Sequence, residues 1–123
     1  MTIIHQQRPA LTQRASAITI WQDYFTICIH ARTPYCAAAI LDLFEHHPPS
    51  TIDGWIIISF EAIYNALFGA FWLKNIKHHI RWLAEIDYID CLHDPDNNYG
   101  LQAYRLNAKV IQQAIASISN NPR

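Results

Sequence analysis

Residues 68–89 read FGAFWLKNIKHHIRWLAEIDYI. Leu73, Ile76, Ile80 and Leu83 recur at helical spacing and predict a helix over about Trp72–Glu85 with one apolar stripe. Lys74, Lys77, His78 and Arg81 fall at i, i+3, i+4 and i+7, so they share a different face of that helix. The whole chain has nine Lys and Arg, and this one helix holds three of them. Either the face meets something anionic or it is ordinary solvated surface, and the residues alone fit both. Trp72 and Trp82 are ten residues apart, about 80° out of alignment on a helix. They cannot both lie on the centre of the buried stripe, which makes one of them a candidate for exposure.

On the N-terminal side, Phe60, Ile63, Tyr64, Leu67 and Phe68 keep helical spacing. Ser59 is placed to cap this helix, Glu61 lies in its first turn and Gly69 ends it. Before it, IDG is a turn signal and GWIII, residues 54–58, reads as a short strand. Further back, TPYCAAAILDLFEHHPPS predicts a helix capped by Thr33 and opened by Pro34. Ala37, Ile40, Leu41 and Phe44 form its apolar face, and Pro48 and Pro49 stop it. Ile18, Trp21, Phe25, Cys28 and Ile29 suggest one more helix, with Tyr24 beside that face, although the β-branched content there also suits a strand. On the C-terminal side, YIDCLH and LQAYRLN read as two strands joined by the turn DPDNNYG. Asn107 can cap a last helix with Val110, Ile111, Ala114, Ile115 and Ile118 on its apolar face.

Length and composition bound the function classes. With 123 residues, 51% of them apolar, the chain fits one domain with a modest core. No apolar run is long enough to span a bilayer, so no membrane partner is expected. The opening MTIIHQQRPALTQRASA lacks the apolar centre of a secretory signal, so the expected location is cytoplasmic. Residues 1–17 read as a flexible arm and 18–119 as the folded domain. Cys28, Cys36 and Cys91 are odd in number and widely spaced, which suits reduced thiols in a core.

The net charge of −1 argues against a strongly basic nucleic-acid binder, but the charge is unevenly spread. Residues 34–71 and 86–104 are purely acidic among their charged groups, while residues 1–33 hold three of the cations and the helix at 72–85 holds three more. A local patch of that kind can bind phosphates even when the sum is near zero.

Enzyme chemistry finds no signature. There is no glycine-rich phosphate loop, and none of the five serines sits in a nucleophile-elbow pattern. Adjacent histidines on a helix diverge by about 100°, so neither His46–His47 nor His78–His79 chelates one metal well. Cys28, His30 and Cys36, or Cys91 and His93, could supply ligands, but no CxxC or HExxH pattern supports a zinc site. No enzyme activity, cofactor or metal is expected.

From Thr33 the predicted order is helix, strand, helix, tight turn, helix, hairpin, helix. Over roughly residues 33–118 the sequence resembles the winged helix-turn-helix superfamily. It is most similar to the winged-helix domains of phage and plasmid replication (replisome organiser) proteins. The matching pieces are YCAAAILDLF, DGWIIISFEAIYNALFG, WLKNIKHHIRWLAEIDYI and AYRLN. The resemblance implies an α+β, mostly helical fold, a winged helix-turn-helix with an extra N-terminal helix and a C-terminal helix. It implies that the helix from Trp72 is the recognition helix and that Lys74, Asn75, Lys77, His78 and Arg81 meet double-stranded DNA. Arg8 and Arg14 of the arm would reach the minor groove, and the hairpin would be the wing. Two features depart from that pattern. The recognition helix opens with the bulky AFWLK rather than small polar residues, and the wing tip DPDNN is acidic. The expected function is DNA binding in replication or transcription regulation of a bacterial or mobile element, with a homodimer expected. The alternative is a winged-helix module that binds a protein partner and no DNA.

Overall fold

Alternation of buried and exposed isoleucines at 56–58, and three-to-four spacing elsewhere, divide this chain into short strands and helices. The structure, a computed structural model, describes residues 20–92 and 102–119. It is an α+β domain of five helices and three strands among those residues: α1 (Gln22–Ile27), α2 (Pro34–His46), β1 (Ile56–Ile58), α3 (Phe60–Ala66), α4 (Leu73–Glu85), β2 (Ile89–Cys91), β3 (Gln102–Leu106) and α5 (Ala108–Ser119). The sheet is antiparallel with β3 in the middle, in the order β1-β3-β2. Ile56 stands opposite Tyr104, and Asp90 opposite Arg105.

The alanine run makes α2 the centre of the domain. Cys36 through Asp42 and Phe44 are buried, and small side chains let α1 and α4 pack against it. Phe44 stacks on the fully buried Tyr104 at 5.3 Å, which joins α2 to the sheet. Ile76, Ile80 and Leu83 of α4 are completely buried, each contributing about 1.5–3 kcal/mol relative to exposure. Ile56 and Ile58 face the core while Ile57 is exposed, as a half-buried strand requires.

Caps follow the sequence in part. The Ser59 hydroxyl accepts from the Ala62 amide at 3.0 Å, as expected. Asn107 accepts from Val110 at a long 3.5 Å. Thr33 occupies the cap position of α2, but its side chain makes no capping bond.

The N-terminal helix differs from the expected one. It is shorter, beginning at Gln22, and it buries Tyr24 and Ile27 with Cys28 following, while Ile29 is 51% exposed. The polar Tyr24 goes inward because its hydroxyl donates to Glu45 at 2.6 Å. That contact lies 21 positions away and leaves no trace in local periodicity. The arm residues 1–17, Arg8 and Arg14 among them, and the wing tip 94–98 lie outside the described residues. No described helix is long and apolar enough to cross a membrane.

Candidate nucleic-acid interface

A helix buried on one stripe must present its remaining side chains outward or to a neighbour. α4 shows Lys74 and Arg81 exposed, with Asn75, Lys77 and His78 half-buried. The Lys77 ammonium lies 5.3 Å from the centre of the Phe60 ring, a cation–π contact that fixes its stem against the start of α3. The structure thus brings the five expected α4 residues onto one element.

The loop between α1 and α2 adds a cation to this face. The Arg32 guanidinium is exposed and close enough to His78 to act on its charge. The His78 pKa is lowered, first by burial and then by the positive charges of Arg32 and Arg81, with Glu85 opposing. Sequence spacing could not reveal this, because Arg32 and His78 are 46 residues apart and grouped with different segments. The acid within this group is Glu85, in the last turn of α4.

His79, beside His78, has a different role. It is fully buried, and its Nδ1–H donates to the Asn75 carbonyl at 2.7 Å. Nε2 is therefore the acceptor nitrogen, and it takes the Thr33 amide N–H at 3.0 Å. Burial first, and the nearby His78 and Arg32 charges after it, hold its pKa below the usual histidine value, against the opposing Asn75 bond. The Arg32–Thr33 loop is thereby tied to α4 and its cation held beside the α4 face.

The bulky opening AFWLK resolves into two directions. Phe71 is buried and meets Tyr35 edge-on at 5.5 Å, while Trp72 is 80% exposed. Trp82 is the half-buried one of the pair and packs edge-on to Tyr88 at 6.4 Å. On the sheet, Arg105 of β3 stacks over Trp55 at 4.2 Å, donates to the Asp53 carbonyl at 3.1 Å and lies 3.7 Å from Asp90. These contacts engage the β3 arginine within the sheet and its preceding turn.

Other groups carry less. Asp42, Glu45 and His46 at the end of α2 bring ligand-type atoms within 4.8 Å of one another. Their i, i+3, i+4 spacing places them on one helix face, but Glu45 accepts from Tyr24, and His46 Nδ1–H donates to the Asp42 carbonyl at 3.0 Å. Cys28 and Cys36 are buried, and burial pushes each thiol up to about 12, which suits core residues.

Comparison with protein-family models, with curated proteins and with solved structures found no match for this chain.

Proposed function

We propose that the protein is a small winged-helix DNA-binding protein acting in replication or transcription regulation of a bacterial or mobile element. The observation that carries this reading is the bond from the Thr33 amide to His79, which sets the exposed Arg32 beside α4, a helix that bears Lys74, Lys77 and Arg81. The sheet order β1-β3-β2 and the packing of α4 on α2 and α3 support it. They fit a frame in which α3 and α4 are the helix-turn-helix pair and β2–β3 the wing. The α4 cations meet phosphates and guanine edges in the major groove, Asn75 and His78 contact bases or phosphates, and Arg8 and Arg14 reach the minor groove. α1 and α5 pack together and leave Ile29 and Ile118 exposed, which suits them to a homodimer contact.

The test is binding to labelled random-sequence duplex across a salt series. Removing one phosphate-binding cation lowers the log–log salt slope by about 0.9. The double variant Lys77→Ala, Arg81→Ala, checked for folding by circular dichroism, therefore shows a slope shallower by about 2. Absence of binding to any duplex at low salt overturns the proposal. The protein-binding module, with the exposed Trp72 and Phe68 as its contacts, is then the better reading.

A further inference from the structure

The end of α3 and the turn that leads to α4 carry aromatic side chains into solvent. Tyr64 is 37% exposed, Phe68 51% and Trp72 80%. The turn that presents them is well fixed. Phe68 and Gly69 both adopt left-handed backbone, with φ 58° and 67°. Their amides return to α3, Phe68 N–H to the Asn65 carbonyl and Gly69 N–H to the Tyr64 carbonyl, each at 3.0 Å. A Cβ at position 69 would stand 3.2 Å from the Tyr64 hydroxyl oxygen, so the Tyr64 side chain lies closed against the turn. Tyr64, Gly69, Trp72 and Leu73 line an open groove of about 430 Å³.

The backbone of this turn is an ordinary helix stop, but that stop does not require its side chains to be large exposed rings. A bulky residue in left-handed backbone is disfavoured, and its ring gains little from packing when half of it is wet. Large exposed aromatic rings lining a groove mark contact surfaces. Charge identifies the occupant. Lys74 follows Leu73 directly and is exposed, Lys77 lies one turn further, and α4 has no acid before Glu85. The nearest acid along α3 is Glu61, a turn before Tyr64. Aromatic faces at the start of a helix that carries cations and no early acid match unstacked nucleic acid, whose bases present π-faces and whose backbone is anionic.

We infer that Trp72, with Tyr64 in the same groove, stacks on bases at an opened or kinked step of bound DNA, while Lys74 and Lys77 hold the adjoining phosphates. This rests on the DNA-binding reading above. It adds a contact that salt does not screen, and a preference for DNA that is easily unstacked.

The experiment compares a fully paired short duplex with the same duplex carrying one central mismatch. Binding is followed by fluorescence anisotropy of labelled DNA and by quenching of the protein's tryptophan emission. Wild type binds the mismatched duplex more tightly, and DNA quenches its emission. Trp72→Ala weakens that complex by roughly 5- to 150-fold, the span of one base–aromatic stack, and abolishes the mismatch preference. Its salt slope is unchanged because every cation remains. Trp72→Phe keeps most of the affinity and loses the quenching. Equal affinity of wild type and Trp72→Ala for both duplexes, with a normal salt slope, overturns the stacking and leaves the α4 reading intact. No binding of either duplex at low salt overturns both.

Discussion

The Thr33 amide donates to Nε2 of His79 at 3.0 Å, tying the start of α2 to the middle of α4. The bond exists only while Nε2 carries no proton. An unfolded histidine titrates near pH 6.5, and burial holds folded His79 lower. In that interval the unfolded chain binds more protons. The stabilisation is therefore complete above about pH 6.5 and is lost as pH falls below it. His78, lowered by burial and by Arg32 and Arg81, shifts in the same direction. Thermal melts between about pH 8 and about pH 5 should show a falling midpoint. His79→Leu should melt lower at the alkaline end, since it orphans the half-buried Thr33 amide at a cost of about 1 kcal/mol, and should show a shallower acid decline. An equally steep decline in His79→Leu would assign the effect to other groups.

Arg32→Ala should raise the pKa of His78, because the Arg32 charge is one of the causes lowering it. A two-dimensional NMR titration of the histidine ring protons reads this directly. The same variant should reduce the salt slope for duplex binding by about 0.9. A His78 titration unchanged by the substitution would remove Arg32 from the cationic face.

α4 ends with Asp87 in left-handed backbone, φ 66°, where the Tyr88 amide bonds the Leu83 carbonyl at 2.9 Å and the Asp87 amide bonds the Ala84 carbonyl at 3.1 Å. That is the helix stop in which glycine is the usual residue at the left-handed position. Asp87→Gly should raise stability by about 1 kcal/mol in a urea titration. Phe68 is likewise left-handed just after α3. Phe68→Gly should gain less there, because it also removes a half-buried ring.

Cys28, Cys36 and Cys91 should react slowly with a disulfide reagent in the folded protein. Burial raises their thiols to about 12, 12 and 11, with the Asp90 charge adding to the effect at Cys91. Mass spectrometry after a timed pulse should find them modified together once denaturant unfolds the chain. Rapid labelling of Cys28 without denaturant would show that α1 opens on its own.

Much of the fold was legible because its signals are local. The alanine run, the Ser59 cap and the stripe Leu73, Ile76, Ile80, Leu83 act within a few residues, and each marks an element that is present. The inward turn of Tyr24 was not legible, because its reason is Glu45 on another helix. The α4 side chains of the candidate site could be named from spacing alone. Arg32 could not, since it reaches that face through a loop whose position depends on His79. The two roles of the histidine pair were equally hidden. One residue of rotation separates a half-buried His78 from a fully buried His79.

The central strand of the sheet is the last to be made. Among the described residues β1 pairs with β3 alone, whose Gln102–Leu106 lies more than forty residues downstream, and β2 depends on the same partner. A nascent chain leaving the ribosome therefore carries two strands with bare hydrogen-bonding edges until residue 106 emerges. During that interval the apolar Ile56 and Ile58 are open to neighbouring chains. Heavy overexpression, which crowds such intermediates together, should favour inclusion bodies, and slowing translation should recover soluble protein.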